Sequence, residues 1–287
     1  MRGKSACTPV SQGVIPTARG RDERCAGDKG QGVGLTRNRL DQGAALAGVV
    51  LLGTAAAIPT DSLPWMKVVL AIIEIADAAL SMTCAAGTGA SIALVAAFLV
   101  LAGAAGVLWQ AAMPLALLAY LLASKLSPSL SARGWWTFGR IPWLPTILCA
   151  AVAPFALVHW VLVMTPDIDD LLRRIPQVSL PLLLAGAVLF TFVNSTGEEL
   201  IWRGLFEDRL LVLFGPLVAV VIQGVSFGAQ HAQGFPRGMV GVSLAAVWGL
   251  MLGWLRRRSG GILAPICAHV VADATVAAIV LVLARPF

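Results

Sequence analysis

Residues 194–209 read NSTGEELIWRGLFEDR, a charged island inside a long apolar stretch of sequence. On a helix, Glu199 and Arg203 lie four residues apart on one face, with the acid before the base, which is the favourable order for an ion pair. Glu198 is turned about 100° away from that face and has no such partner. We predict that Glu199 and Arg203 neutralise each other, and that Glu198 is a carboxylate available for chemistry.

The composition around this island is that of an integral membrane protein. The 287-residue chain is 58% hydrophobic and only 13% charged, and its mean hydropathy is +0.83. Soluble domains are roughly 45–50% apolar and about 25% charged. Nine Trp, one Tyr and 29 Gly also fit spanning helices, in which Gly is common and Trp collects at the interfaces. The absence of alternating strand-length segments argues against a barrel. We therefore predict an all-α, multi-pass membrane protein.

The sequence divides into three parts. Residues 1–42 are polar and basic without an apolar face, and predict a disordered tail. We predict that residues 43–180 form the N-terminal transmembrane helices and that residues 181–287 form a catalytic core. The apolar segments are 43–58, 66–86, 88–108, 111–123, 144–164, 181–213, 216–232, 238–255 and 261–284. Spanning requires about 20 residues, so we expect eight or nine helices to cross, with 88–108 and 111–123 as an alternative re-entrant pair.

The distribution of basic residues predicts the orientation in the membrane. Eight of the 21 basic residues lie in the first 42 positions, and Arg256, Arg257 and Arg258 close a later segment. Alternating crossings place both groups on one side and the loop with Asp167, Asp169 and Asp170 on the other. The positive-inside rule then predicts a cytoplasmic N-terminus. A topology signal explains the basic tail better than nucleic-acid binding, so we expect no nucleic-acid partner.

A pair of acidic residues lies in an earlier apolar segment. Glu74 and Asp77 are three residues apart and share a helical face. They are candidates for a second polar site. Because no partner for them is evident in the sequence, a helix face turned to water or to the interface is the better interpretation.

Two of the three histidines lie on helices that the charged island can approach. His231 ends the segment after the Gly215-Pro216 turn, and His269 lies four residues before Asp273 in the last segment. At the helical rise per residue, Glu198, His231, His269 and Asp273 all lie about 12 to 25 Å from one face of a ~30 Å hydrocarbon layer. We predict that they converge in a polar cavity of the C-terminal half. His159 stands alone beside Trp160, and we predict that it is an interfacial or core residue.

Converging Glu, His, His and Asp side chains are compatible with three kinds of chemistry. In a hydrolytic site, Glu198 is the general base that activates water. In a metal site, Glu198, His231 and His269 hold a catalytic Zn²⁺. In a carrier, the same residues relay protons. The spacing of the histidines is not that of a zincin, so no local motif decides for zinc.

Three motifs in order resemble a known family of membrane enzymes. They are Glu198-Glu199-x-x-x-Arg203, Phe227-x-x-x-His231 and His269-x-x-x-Asp273. They are similar to the motifs of the CPBP intramembrane proteases, which include the type II CAAX prenyl endopeptidases and bacteriocin self-immunity proteins. The likeness covers about residues 181–284.

The resemblance implies roles for the residues of these motifs. Glu198 and His231 are expected to activate water, and His269 and Asp273 to hold the oxyanion or orient its donor. The third motif commonly ends in Asn, and Asp273 departs from that pattern, because an ionised Asp repels an oxyanion. Arg203 is expected to fix Glu199. Family members have been described both as metalloproteases and as glutamate-dependent enzymes, so the resemblance leaves open whether zinc or no cofactor is used.

We therefore predict a membrane endopeptidase. It is expected to hydrolyse peptide bonds of membrane-anchored peptides or proteins at or inside the bilayer. The alternative is a non-proteolytic protein with the same polar cluster, either a bacteriocin immunity protein or a proton-coupled carrier. Inverted repeats, which favour a carrier, are not evident between the halves of the chain.

Overall fold

The protein is built from helices. A computed structural model of the chain describes residues 22–59, 64–84, 87–130 and 134–284, and all regular structure within these ranges is helical, as predicted. The α-helices are α1 (Asp22–Ala57), α2 (Pro64–Cys84), α3 (Thr88–Ala104), α4 (Trp109–Leu126), α5 (Trp143–Met164), α6 (Asp169–Leu172), α7 (Leu180–Glu199), α8 (Glu207–Phe214), α9 (Pro216–Ala229), α10 (Gly238–Ser259) and α11 (Leu263–Ala284).

Six helices in the described part of the chain are long and apolar enough to cross a membrane. They are 36–57, 109–126, 143–164, 180–214, 238–259 and 263–284. The predicted count of eight or nine crossings is not confirmed, because α3 and α9 have only 17 and 14 residues and α2 contains Lys67, Glu74 and Asp77. The chain is a multi-pass membrane protein, and its cytoplasmic N-terminus remains a prediction.

The predicted tail, residues 1–42, overlaps the first helix. Residues 1–21 lie outside the described residues, and α1 begins at Asp22. Residues 22–42 contain no proline, and an existing helix extends at one hydrogen bond per added residue. Asp41 is 2% exposed and accepts hydrogen bonds from the backbone N–H groups of Thr88 and Gly89, at the start of α3.

The N-terminal helices pack through small residues. Gly89 of α3 lies against α1 so closely that a Cβ atom there would overlap the backbone oxygen of Asp41. Gly48 of α1 lies against the backbone of Ala93 in the same way. Because lipid is as apolar as the side chains, such close packing stabilises helix pairs within a bilayer. The result is a tight group of α1, α2 and α3.

The charged island lies in one long rod. Residues 180–214 form a continuous 35-residue helix, in which a π-helix, Leu200–Phe206, joins α7 to α8. Gly215, with φ +80°, then turns the chain directly into α9. The predicted hairpin at Gly215-Pro216 is therefore present. It brings the helix that carries Glu198 beside the helix that leads to His231.

Glycines hold α9 close to α10. A Cβ atom at Gly224 would lie 2.8 Å from the Leu250 side chain, and one at Gly228 would lie 2.6 Å from the backbone oxygen of Val242. Gly224 and Gly228 are four residues apart and form a single smooth face, as in small-xxx-small helix pairs. This face fixes the position of Phe227, which lies between the two glycines.

A loop from the N-terminal half holds the turn between α10 and α11. The N–H groups of Ile262 and Leu263 donate to the carbonyls of Thr137 and Phe138, at 2.9 and 3.1 Å, and Arg140 donates to Ser259. A Cβ atom at Gly261 would overlap the backbone of Phe138. The start of α11, and with it the depth of His269, is thus fixed by backbone pairing with residues 137–140.

On the opposite side of the molecule, Arg237 binds Asp170. The Arg237 guanidinium donates to Asp170 and joins the short helix α6 to the loop before α10. Its hydrogen bond holds the pKa of Asp170 below its ordinary value. Asp170 and the cluster of Arg256, Arg257 and Arg258 therefore lie near opposite ends of α10.

Candidate active site

Glu199 is the centre of a fully buried polar cluster. Its Oε1 atom accepts a hydrogen bond from Nη1 of Arg203 at 2.9 Å and lies 2.7 Å from Nδ1 of His269. Glu199 and Arg203 are both 0% exposed, and His269 is 4% exposed. A buried charge is tolerated when it is paired and hydrogen-bonded. The predicted pair of Glu199 with Arg203 is present, and it also binds the histidine of α11.

Arg203 has contacts that keep it in place. Its guanidinium carbon lies 4.3 Å from the centre of the Phe227 ring, a cation–π distance. Its Nη2 atom lies 3.4 Å from the carbonyl oxygen of Gly249 on α10. The carbonyl of Gly249 also accepts a hydrogen bond from Gln223. Arg203 therefore connects α9 and α10 to the rod that carries the two glutamates.

Glu198 has a different environment from its neighbour. Its side chain is 12% exposed, and Nε2 of His269 lies 3.5 Å from its Oε2 atom. Its Oε1 atom accepts a hydrogen bond of 3.0 Å from the indole N–H of Trp109, the first residue of α4. His269 thus faces Glu199 with one ring nitrogen and Glu198 with the other.

Asp273 is bound by two donors from α7. Its Oδ2 atom accepts hydrogen bonds from the Ser195 hydroxyl at 2.7 Å and from the Asn194 amide at 3.2 Å. Its Oδ1 atom lies 3.8 Å from Nε2 of His269. The side-chain amide of Gln110, on α4, donates to the side-chain oxygen Oδ1 of Asn194 at 3.3 Å. This bond turns the Asn194 NH₂ group towards Asp273. The carboxylate is held as an acceptor.

His231 joins the cluster through Phe227. It is the middle residue of a short 3₁₀ turn after α9, Gln230–Ala232. Its Nδ1 atom lies 3.1 Å from the backbone oxygen of Phe227, and its ring centre 4.9 Å from the Phe227 ring. The same phenyl ring lies 5.9 Å from the His269 ring. His231 and His269 therefore contact the same phenyl ring.

The π-helix at residues 200–206 begins directly after the two glutamates. Its wider turns are defined by bonds such as that from the N–H of Glu207 to the carbonyl of Trp202, five residues earlier. Such turns are rare and occur frequently at functional sites. Gly204 lies within it, where a Cβ atom would be 2.9 Å from the backbone oxygen of Trp135. Arg203 is consequently presented from an irregular turn.

The segment that contains these side chains matches a known protein family in sequence. Residues 179–275 match the family model described as type II CAAX prenyl endopeptidase Rce1-like. The predicted resemblance to that group is confirmed over this segment. The Rce1-like segment covers 97 of the 287 residues. No curated protein and no solved structure matches the chain.

The Rce1-like segment contains all six predicted site residues: Glu198, Glu199, Arg203, His231, His269 and Asp273. The structure brings five of them into direct contact in one buried cluster. The sixth, His231, contacts Phe227, which touches that cluster. His159 lies outside it, stacked on Phe155 at 6.1 Å between ring centres.

Sequence reasoning missed four polar residues that contact the cluster. Asn194 and Ser195 precede Glu198 by about one helical turn, so their i, i+3 and i, i+4 spacing was a usable signal. Trp109 and Gln110 lie outside the Rce1-like segment, at the beginning of α4. No spacing rule connects them to Glu198, because they approach it only through the packing of α4 against α7.

The described side chains show no ready-made group of metal ligands. No group of three or more His, Cys, Asp or Glu side chains among the described residues is arranged to hold a metal ion. Nδ1 of His269 is bound to Glu199 and Nδ1 of His231 lies against the carbonyl of Phe227, so each histidine has its Nε2 atom left for another partner. The choice between zinc and no cofactor stays a prediction.

Two other polar features lie apart from the Rce1-like cluster. Glu74 of α2 is 0% exposed, and neither of its carboxylate oxygens has a hydrogen-bond partner within the described structure. A pocket of about 540 Å³ is lined by loop residues Asp167, Asp169, Asp170, Arg173 and Arg237. Neither feature includes Glu198, so the polar cavity predicted around that residue stays a prediction.

Proposed function

We propose that the protein is an intramembrane endopeptidase that hydrolyses peptide bonds of membrane-associated substrates with water activated by Glu198. The observation that carries the proposal is the contact of Glu198 with His269 inside the Rce1-like segment. A carboxylate and an imidazole at this distance are a general base and a proton donor within reach of one reacting group. The family match supports an intramembrane peptidase.

Glu198 is the base in this mechanism. Trp109 binds its Oε1 atom, so Oε2, which faces Nε2 of His269, is the oxygen that accepts a proton from water. As that proton moves to Oε2, the water oxygen attacks the carbonyl carbon of the scissile bond and forms a tetrahedral oxyanion. The C–N bond then breaks, and the leaving nitrogen takes up a proton. A well-placed general base contributes about 10²–10⁴-fold to such reactions.

His269 is the proton donor and the partner of the oxyanion. Its Nδ1 atom is bound to Glu199, so Nε2 is the nitrogen directed to the reacting side. Glu198, Glu199 and Asp273 surround this ring with carboxylates, which favours the imidazolium form that donates from both nitrogens. An N–H at Nε2 stabilises developing negative charge on oxygen and supplies the proton to the leaving amine.

Asp273 takes a positioning role in this proposal rather than the oxyanion role implied by the resemblance. Ser195 and Asn194 both donate to its Oδ2 atom, which holds that oxygen as an acceptor. An ionised carboxylate repels an oxyanion but orients an imidazolium. Asp273 therefore holds the His269 ring, while Ser195 and Asn194 hold Asp273.

His231 remains a proposed partner of Glu198 in the activation of water. Its ring contact with Phe227, which also contacts the His269 ring, supports this role. Substrates of this chemistry are peptides or proteins anchored in the lipid bilayer. A prenylated C-terminal tail, a C-terminal sorting anchor and a bacteriocin-like peptide all belong to this class.

The test is Glu198→Gln in purified protein, with cleavage of a membrane-anchored peptide as the measurement. Glutamine has the same size and still accepts the Trp109 hydrogen bond, but it cannot take a proton. We expect cleavage to fall by about hundredfold or more at unchanged protein abundance. Asp169→Asn, an exposed carboxylate-to-amide change outside the cluster, is the matched control. Cleavage that persists in Glu198→Gln would show that the assignment of the base is wrong.

A further inference from the structure

The N-terminus of α4 contacts the proposed site with two consecutive side chains. The indole of Trp109 donates to Oε1 of Glu198 at 3.0 Å, and the amide of Gln110 donates to Asn194 at 3.3 Å. Both residues lie outside the segment 179–275. Two adjacent residues of one helix thus bind the two acidic sides of the cluster, Glu198 directly and Asp273 through Asn194.

We propose that Trp109 is a positioning residue for Glu198, and this inference rests on the proposed function. It holds one carboxylate oxygen and leaves the other for water. An unrestrained glutamate side chain samples several rotamers, and ordering it costs free energy in each catalytic cycle. Because the Trp109 indole holds the Glu198 side chain in the folded protein, that ordering takes place during folding and not in each cycle. The base is then oriented before the substrate arrives.

The chemistry of indole suits this task. Its N–H is a donor only, so it binds the carboxylate without competing for the proton of water. A hydrogen bond to a charged acceptor is stronger than one between neutral groups. Trp109 is also half-buried, as is Glu198, so the bond is only partly exposed to competing water. Phenylalanine retains the apolar part of the side chain and removes only this donor.

Gln110 extends the same arrangement to Asp273. Its NH₂ group donates to the side-chain oxygen Oδ1 of Asn194, and the NH₂ group of Asn194 then points to Oδ2 of Asp273. An amide that is held at its oxygen has a fixed orientation, so the Asn194 donor cannot turn away. Helix α4 is thereby part of the site, although it belongs to the N-terminal half of the chain.

The experiment compares Trp109→Phe with Trp135→Phe in full-length protein. Trp135 is the matched control, because its buried indole N–H has no hydrogen-bond partner among the described residues. We expect Trp109→Phe to lower kcat about tenfold or more, with KM within about twofold, because a lost charged hydrogen bond affects the base and not substrate binding. Trp135→Phe is expected to leave kcat close to that of the wild type. Equal kcat values for the two variants would overturn the inference.

A second measurement separates this inference from the proposed function. In thermal unfolding in detergent, a double-mutant cycle of Trp109→Phe and Glu198→Ala measures their coupling without any activity. We expect the melting temperature of the double variant to fall by less than the sum of the single effects. Additive shifts would overturn the inference, even if Glu198→Gln abolishes cleavage. Coupling with undiminished cleavage in Glu198→Gln would instead refute the catalytic assignment and retain the contact.

Discussion

The Nδ1 atom of His269 lies 2.7 Å from Oε1 of Glu199, the same oxygen that accepts a hydrogen bond from Arg203. One carboxylate oxygen therefore binds a cation of its own helical rod and the imidazole of α11. Because all three groups are buried, water is a poor substitute for any of them. Glu199 thus determines which nitrogen of His269 faces Glu198.

Replacement of Glu199 by Gln is expected to destabilise the protein severely. The Arg203 guanidinium would be left buried without its counter-charge, and loss of one partner of a buried pair costs about 3–5 kcal/mol. The measurement is the free energy of unfolding in detergent. Arg257→Gln, which changes an exposed charge on α10, should alter it by no more than about 0.5 kcal/mol. Similar values for the two variants would mean that the Glu199 pair does not stabilise the fold.

The two histidines outside the buried cluster should differ in their effects on activity. His231→Ala is expected to reduce cleavage to a level near that of Glu198→Gln, since His231 is proposed to assist the same base. His159→Ala is expected to leave cleavage unchanged, because its ring is exposed and stacked on Phe155. Initial rates at saturating substrate provide the measurement. Equal losses in the two variants would refute this distinction.

Asp273→Asn tests whether the shape or the charge of Asp273 matters. Asparagine retains an oxygen that can accept from Ser195 and Asn194, so we expect a melting temperature near that of the wild type and cleavage within about tenfold. Asp273→Leu removes both acceptors and leaves two buried donors unpaired, at a cost of about 1–3 kcal/mol each. A folded but inactive Asp273→Asn protein would show that the negative charge itself is required.

The ion pair of Asp170 with Arg237 predicts a pH dependence of stability. The pKa of Asp170 is lowered by its hydrogen bond to Arg237, so the stabilisation is fully present above the unfolded pKa of about 3.9 and is lost as pH falls through the lower folded pKa. The difference in melting temperature between wild type and Arg237→Gln should be constant from about pH 8 to about pH 5 and should shrink as the pH falls through the folded pKa of Asp170. Arg257→Gln is expected to show no such change over the same range.

Much of the C-terminal half was predictable because its signals are local. The pair of Glu199 with Arg203 follows from four-residue spacing, and the hairpin follows from Gly215-Pro216. Rise per residue was sufficient to place Glu198, His269 and Asp273 at a common depth, where they contact one another. Helices within a bilayer are regular, so the position of a residue along the helix axis follows closely from its number in the sequence.

The remaining features depend on contacts between distant parts of the chain. Trp109 is 89 residues from Glu198, and Asp41 is 48 residues from Gly89. Such pairs depend on the order in which helices pack, which hydropathy does not encode. Asp41 was assigned to a disordered tail because its charge was read alone, whereas it binds the free N–H groups that begin α3. The π-helix likewise has no simple sequence rule.

Trp109, which donates a hydrogen bond to Glu198, is synthesised by the ribosome before Glu198. Since 89 residues separate Trp109 from Glu198, translation at about 5–20 residues per second leaves the indole N–H waiting for roughly 4 to 18 seconds. During that interval the Trp109 indole N–H has no Glu198 to bind, and an unpaired donor is costly within hydrocarbon. The helix that carries the donor is therefore synthesised before the helix that carries Glu198.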